Sequence, residues 1–169
     1  MIQGLIAACL ALLCAQATTG SSRVDDVVCT ITVANVSLRA QAPRVTATGR
    51  EASLSLTLEN LSDQNIRISG TQSTFEHLEL IGPDGKPVPM TPLGVREIRP
   101  FTDGIHVVTV GKSVTASVNL TQWFSMTQEG SYTIRITRSF FLPQSKEFRL
   151  LALDVPLWFG RPAGSLHPE

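Results

Sequence analysis

Apolar and polar residues alternate along a run in the first half of the chain. Residues 53–69 read Ser-Leu-Ser-Leu-Thr-Leu-Glu-Asn-Leu-Ser-Asp-Gln-Asn-Ile-Arg-Ile-Ser, in which the alternation breaks at a polar turn and then resumes. Because successive side chains of a strand point to opposite faces, Leu54, Leu56 and Leu58 share one face. The pattern predicts two antiparallel strands, each with one buried face and one solvated face.

Similar patterns predict strands along most of the chain. The predicted strands are residues 27–33, bending after Asn35 into 36–40, then 52–59, 65–69, 75–81, 105–110, 113–120, 131–137 and 146–155. The polar turn at 60–64 suits a hairpin or a crossover, and Gly111 with Lys112 suits a hairpin. Residues 83–100 contain five prolines, which predicts an irregular loop with at most short edge strands near Val88 and Val95.

Seven to nine short strands separated by turn signals predict an all-β chain folded as an immunoglobulin-like antiparallel β-sandwich. Gly130 precedes Tyr132 by two residues at the start of a predicted strand, a pattern that resembles the tyrosine corner of immunoglobulin-type domains. A core aromatic without that hydrogen bond is the alternative. The predicted division is a lead-in at 18–26, the sandwich at 27–157 and a C-terminal tail at 158–169.

The N-terminal residues have the character of an export signal. Residues 1–17 carry no charged side chain, run apolar from 5 to 13, and end in the small-x-small sequence Ala15-Gln16-Ala17. This pattern predicts a signal peptide cleaved after Ala17, and therefore a secreted or periplasmic protein. The apolar run is too short to cross a bilayer, and no later stretch approaches the roughly 20 apolar residues of a transmembrane helix.

Charge and cysteine content narrow the function classes. Fourteen basic and fourteen acidic residues balance, so we expect no nucleic-acid partner. Cleavage after Ala17 would leave Cys29 as the one remaining cysteine of the three. Cys29 shares an alternating face with Val27 and Ile31, which predicts a buried, inert thiol. The basic residues closest to a cluster are expected to be solvated, namely Arg135, Arg138, Lys146 and Arg149.

Three stretches together resemble a known kind of module. They are Leu-Thr-Leu-Glu-Asn-Leu-Ser-Asp-Gln-Asn-Ile-Arg-Ile at 56–68, Leu-Glu-Leu-Ile-Gly-Pro-Asp-Gly-Lys-Pro-Val at 78–88, and Val-Gly-Lys-Ser-Val-Thr-Ala-Ser-Val-Asn-Leu at 110–120, followed by Gly-Ser-Tyr-Thr-Ile at 130–134. This order, over residues 52–138, is similar to non-catalytic immunoglobulin-like modules of secreted proteins. Among these are the domain preceding the catalytic unit of deuterolysin-like lysine-specific metallopeptidases and, more distantly, BsuPI-type proteinase inhibitors. The chain has no His-Glu-x-x-His sequence, so the resemblance implies a binding module without peptidase activity.

Candidate chemistry is sparse. His77 and Glu79 project from one face of a predicted strand and suit two metal ligands, with His106 as a conceivable third; solvated strand positions are the alternative. No Gly-x-Ser-x-Gly sequence supports a hydrolase. Three Asn-x-Ser/Thr sequences are possible N-glycosylation sites, with Asn60 as the best candidate and Asn35 and Asn119 behind it.

Two apolar segments are expected to contact a partner. The expected contact residues are Met90, Leu93 and Phe101 in the loop at 83–103, and Trp158, Phe159 and Arg161 in the tail. Packing of these residues onto their own domain is the alternative. The sequence thus favours an exported, non-enzymatic module without a cofactor, which acts by contact with a protein of unknown identity. A proteinase inhibitor, or a metal-binding or hydrolytic protein using His77 and Glu79, remains an alternative function.

Overall fold

The computed structural model describes residues 26–43, 52–69, 77–97 and 105–160. Within these residues the chain forms nine strands, in two antiparallel sheets. The four-stranded sheet has the order β1 (Asp26–Val33), β2 (Val36–Pro43), β3 (Ser53–Asn60) and β7 (Ser113–Asn119). The five-stranded sheet contains β4 (Ile66–Ser69), β5 (His77–Ile81), β6 (Ile105–Val108), β8 (Gly130–Leu142) and β9 (Glu147–Phe159). The predicted all-β sandwich is confirmed.

Strand β8 organises the five-stranded sheet. Strand β9 pairs with its whole length, from Gly130↔Phe159 to Leu142↔Glu147. Because β9 occupies one side of β8, β5 and β4 share the other side, and β6 follows β4. Strand β8 is therefore central in this sheet. One of its faces is directed toward the core and the other is directed outward. Its position suits the immunoglobulin-like arrangement, in which the strand with the tyrosine corner pairs with the last strand.

Alternating side chains fill the space between the sheets. Leu54, Leu56 and Leu58 have no exposed surface, as the alternation of β3 predicts, and Ile134 on β8 is equally buried. Each such side chain contributes about 1.5–3 kcal/mol to folding through the hydrophobic effect. Cys29 is 2% exposed on β1, which confirms the predicted buried thiol.

Arg138 departs from the prediction that it is solvated. Only 1% of its surface is exposed, and it is among the largest fully buried side chains. On β8 it follows Tyr132, Ile134 and Ile136 at intervals of two residues, so it lies on the inward face. The two-residue alternation that starts at Tyr132 predicts this inward position. The prediction of a solvated side chain followed instead from the charge of Arg138.

The chain reverses between β1 and β2, where the sequence suggested one bent strand. Val33 and Val36 form the closing pair, and Ala34 and Asn35 have φ values of 50° and 59°. Positive φ at both central residues characterises the two-residue turn that best fits the twist of a hairpin. Asn adopts this conformation readily, whereas Ala rarely does, which explains why the turn gave little signal.

The predicted hairpin at Gly111 and Lys112 is wrong. Strand β6 pairs with β4 in one sheet, whereas β7 pairs with β3 in the other. The connection between them crosses the open side of the sandwich and bonds to Asn60, whose N–H donates to Lys112 O at 3.0 Å. Gly111 N–H in turn donates to Asn60 O at 2.8 Å. The turn at 60–64 is likewise a crossover between the sheets.

Two short helices, α1 (Pro92–Glu97) and α2 (Leu120–Trp123), contact each other, and α2 also contacts β3 and β7. The expected edge strand near Val95 is therefore wrong, because Val95 lies in α1. Of the helices in the described residues, none has the length and hydropathy needed to cross a membrane.

Candidate functional site

The proline-rich loop folds back onto its own domain. Thr91 N–H donates to Trp123 O at 2.9 Å, and the Thr91 hydroxyl donates to Gln122 O at 2.5 Å. Gly94 lies so close to α2 that a Cβ there would be 2.2 Å from Trp123 O. These contacts join α1 to α2 at the backbone level. The loop is therefore held against its own domain by backbone contacts.

The predicted contact residues of this loop are only partly available. Met90 forms an isolated bridge with Phe124 and packs against the core, and Leu93 in α1 is half-buried. Phe101 lies outside the described residues. Val95 is the loop's large exposed apolar residue within the described part, at 54%. The described part of the loop thus offers little free apolar surface, and its role in partner contact stays a prediction.

The predicted tail begins two residues too early. Trp158 and Phe159 belong to β9, and they pair with Ser131 and Gly130 of β8. Phe159 points inward and is 8% exposed, whereas Trp158 points outward and is 36% exposed. Arg161 lies outside the described residues. Only Trp158 of the two tail aromatics is therefore available to a partner.

Tyr132 forms the predicted tyrosine corner. Its hydroxyl donates to Gln128 O at 2.6 Å, four residues upstream, and its side chain is 3% exposed. The ring meets Phe159 edge to face, with centroids 6.1 Å apart and an interplanar angle of 89°. Burial, with a smaller effect from the negative charge of Asp84, raises the pKa of Tyr132. This contact holds the last strand on the core.

The outward face of β9 is mostly apolar, a feature not among the contact surfaces predicted from the sequence. Its outward residues are Phe148, Leu150, Ala152, Asp154, Pro156 and Trp158. Phe148 is 77% exposed and Leu150 is 58% exposed. Phe148 also stacks on its cross-strand neighbour Phe141, with ring centroids 4.8 Å apart. The signal was present, because residues 150–159 are apolar at nearly every position and show no alternation.

A row of charges crosses the middle of this face. Arg135 on β8 lies directly between Glu79 on β5 and Asp154 on β9. Its Nη1 is 3.6 Å from Glu79 Oε2, and its Nε is 3.7 Å from Asp154 Oδ2. Arg135 is 53% exposed, and ion pairs of this length in water contribute little to stability. The row divides the apolar residues of β9 into two groups.

The outer face of the four-stranded sheet has the opposite character. It forms a shallow concavity of about 280 Å³ lined by polar side chains, namely Thr30, Ser37, Arg39, Gln41, Ser55, Thr57 and Glu59. Thr57 and Thr115 share a hydrogen bond of 3.0 Å across β3 and β7. A solvated outer face of this kind is what an antiparallel sandwich normally presents. This polar outer face is the surface with which the apolar outward face of β9 is compared.

The suggested metal ligands do not converge. His77 and Glu79 share the outward face of β5, but His106 pairs with buried Ile68 and lies on the inward side of its strand. Glu79 is also engaged with Arg135. The described residues contain no group of three His, Cys, Asp or Glu side chains placed to hold a metal ion. The metal or hydrolytic hypothesis gains no support and stays a prediction.

Two of the three possible glycosylation sequences share one local structure. Asn60 Oδ1 accepts from Ser62 N–H at 3.1 Å and from Ser62 Oγ at 2.6 Å. Asn119 Oδ1 accepts from Thr121 N–H at 3.1 Å and from Thr121 Oγ1 at 2.6 Å. The residue two positions on thus supplies both its amide and its hydroxyl, as in an Asx turn. Folding alone accounts for these two sequences.

Asn60 is poorly placed to carry a glycan. It has no exposed surface, and its Nδ2 donates to Gln64 O and Val108 O, each at 2.9 Å. A glycan would replace one of these hydrogens and extend through packed side chains, so burial argues against the best predicted candidate. Asn35 is exposed in the first hairpin turn. Glycosylation at Asn35 and Asn119 stays a prediction.

Comparisons with known proteins assign the chain to no family. No protein-family model matches the chain, and no curated protein matches it. Among solved structures, the chain is similar to the X-ray structure of the Northeast Structural Genomics Consortium target SoR45, with a TM-score of 0.42 and 13% identity over 79% of this chain and 90% of that one. A likeness this distant carries no argument about fold or function. The resemblance to the peptidase-associated modules and to BsuPI-type inhibitors therefore stays a prediction.

Proposed function

We propose that this chain is an exported, non-enzymatic β-sandwich module that acts by protein contact. Its contact surface is the outward face of β9 together with the adjoining outward residues of β8. This face takes the place of the proline-rich loop and the tail as the main candidate. Export rests on the signal-like residues 1–17, which lie outside the described residues.

One observation carries the proposal: β9 is apolar on both faces although only one face meets the core. Inward residues such as Leu151 and Val155 are fully buried, while outward Phe148 and Leu150 are 77% and 58% exposed. The outward residues of a two-sheet sandwich are normally polar. Clustered exposed apolar side chains usually mark a surface that another molecule covers.

The surroundings of the face favour a protein as its occupant. Aromatic side chains at Phe148 and Trp158 are typical anchors of protein interfaces. The charged row at Arg135 supplies polar groups that fix the orientation of a partner. The face extends along two strands of 13 residues each, and so long a surface suits another protein better than a small molecule, whose sites are concave.

Capture with matched variants tests this proposal. The mature chain is immobilised and exposed to the fraction of the producing cells that contains it. Phe148→Lys with Leu150→Lys adds two charges to the proposed surface, and Ser113→Lys with Ser117→Lys adds two charges to exposed positions on β7 of the other sheet. We expect the first pair to reduce captured protein more than tenfold and the second pair to leave it unchanged. Equal capture by both double variants, with normal circular dichroism, would overturn the proposal.

A further inference from the structure

The charged row on the outward surface of β8 and β9 is self-complementary, and we infer that the occupant of this surface is a second copy of this chain. This inference rests on the proposed function, because it names the partner of the same surface. We call this surface, consisting of the outward residues of β8 and β9, the β8–β9 face. Two identical faces would meet across a two-fold axis, as in most homodimers.

The register of β8 and β9 defines the contact. Suppose that the two-fold axis runs between the two strands, parallel to both and just above their outer surface. Rotation then places β8 of one copy over β9 of the other, so each residue faces the cross-strand partner of its counterpart. Arg135 comes to lie over the second copy's Asp154, because these two residues are paired in the sheet.

This arrangement adds two opposite-charge contacts at the centre of the face. Arg135 of each copy meets Asp154 of the other, while retaining its own neighbours Glu79 and Asp154. Packed sheets cross at about 30°, and this crossing displaces residues near the middle of the strands least. The charged row lies near that middle, so its alignment tolerates the crossing angle. Exclusion of water would strengthen these ion pairs relative to the exposed state.

Apolar residues surround this centre. Ala152 and Pro156 flank Asp154 along β9, and Leu150 and Trp158 follow at the next outward positions. In the dimer Leu150 lies over the other copy's Ser139 and Trp158 over the other copy's Ser131, so small hydroxyl side chains of β8 cover them. Aromatic pairing of Phe141 with Phe148 already gives one end of the face a rigid apolar surface. The face thus has a charged centre, apolar residues of β9 on both sides of it, and mostly Ser and Thr on β8.

The size of the face suits a weak dimer, and overall charge does not oppose one. Each strand has 13 residues and is about 40 Å long at the usual rise per residue. With the five residues of β5 beside them, the two strands give roughly 450 Å² of sheet area at a strand spacing of about 4.8 Å. This is about half of the ~800 Å² per partner of a standard interface, so we expect a weak dimer. The chain is formally neutral, so net charge does not oppose association of two copies.

Charge reversal tests the two-fold contact by analytical ultracentrifugation of the full mature chain. Arg135→Glu places acid against acid between copies, and Asp154→Arg places base against base. We expect the wild type to self-associate and each single variant to do so at least tenfold more weakly. A mixture of the two variants restores both opposite-charge contacts, so the mixture should associate as the wild type does.

The mixture separates loss of contact from loss of folding. Each variant breaks the same ion pair within its own sheet, and mixing cannot repair that pair. Recovery in the mixture therefore supports the two-fold contact. A monomeric wild type at several hundred micromolar, unchanged association of both single variants, or a mixture as weak as its components would overturn the inference. In each of these cases, loss of capture by the Phe148→Lys and Leu150→Lys variant would still support contact with a different protein, so the two proposals fail separately.

Discussion

Replacing Tyr132 by Phe removes one hydroxyl from the start of β8 and leaves the ring in place. The hydroxyl donates a short hydrogen bond of 2.6 Å to Gln128 O, and the side chain is 3% exposed. The edge-to-face contact with Phe159 does not involve the hydroxyl, so the variant isolates the hydrogen bond of the tyrosine corner. We expect a moderate loss of stability with an unchanged fold.

The expected loss is about 1–1.5 kcal/mol. A hydrogen bond of this kind contributes about 0.5–1.5 kcal/mol net, and its short length in a buried setting favours the upper half of that range. The loss should not exceed this range, because the hydrogen bond is only partly buried and Gln128 is an exposed residue. For a domain of this size, 1 kcal/mol corresponds to about 2–4 °C in Tm. Tyr132→Ala, which also removes the ring, should cost about 3–5 kcal/mol.

Urea unfolding measured as a function of pH adds a second signature. Burial raises the pKa of the folded tyrosine above its ordinary value of 10.0. The folded state then holds this proton more tightly than the unfolded chain, so its contribution is complete below pH 10 and is lost as pH rises through the folded pKa. Wild-type stability should therefore fall more steeply above pH 10 than that of Tyr132→Phe.

Two results would refute this reasoning. A Tm for Tyr132→Phe equal to that of the wild type would show that the hydroxyl contributes nothing. Parallel pH profiles for the two proteins above pH 10 would show that Tyr132 is not desolvated in the folded state. Far-UV circular dichroism of both proteins serves as the control for an intact sandwich.

Three further predictions concern other parts of the chain. Asn60→Ala should destabilise the domain by about 3 kcal/mol in urea unfolding, because it leaves buried carbonyls without donors. Asn35→Gly, at an exposed turn where φ is 59°, should cost less than 1 kcal/mol, and equal losses would contradict this explanation. Gly94→Ala should lower Tm and alter the near-ultraviolet circular dichroism of Trp123, because a Cβ at position 94 would be 2.2 Å from Trp123 O. An unchanged spectrum and an unchanged Tm would show that α1 does not pack against α2. Sequencing of the exported protein should give a mature chain that begins at Thr18, and an uncleaved chain would refute the signal peptide.

The regular strands could be predicted from the sequence because their period-two pattern is a direct consequence of burial on one face. Leu54, Leu56 and Leu58 on β3 illustrate this, and Arg138 shows that the period is more reliable than residue type. The pairing of strands could not be predicted in the same way. Turn signals at Gly111 and Lys112 suit a hairpin, but the long-range hydrogen bonds to Asn60 decide that the chain crosses between sheets.

The candidate surface was missed for a different reason. Sequence patterns favour loops as contact sites, because binding sites are often found there. The relevant signal was the absence of alternation near the end of the chain, where Leu150 and Leu151 are successive apolar residues on opposite faces. Which of two apolar faces meets the core depends on the position of β9 beside β8, and that position comes from the tertiary structure. Trp158 was identified from sequence, although as part of a tail.

Site-specific photo-crosslinking tests the central claim, that the β8–β9 face is a protein contact surface, most directly. A photoreactive amino acid replaces Leu150 on β9 in one variant and Ser117 on β7 in the other, and each is irradiated in the cells that produce the protein. Both positions are exposed, at 58% for Leu150, but they lie on the outer faces of different sheets. We expect a discrete crosslinked adduct from position 150 and none from position 117. Adducts of equal yield at both positions, or none at position 150, would contradict this claim.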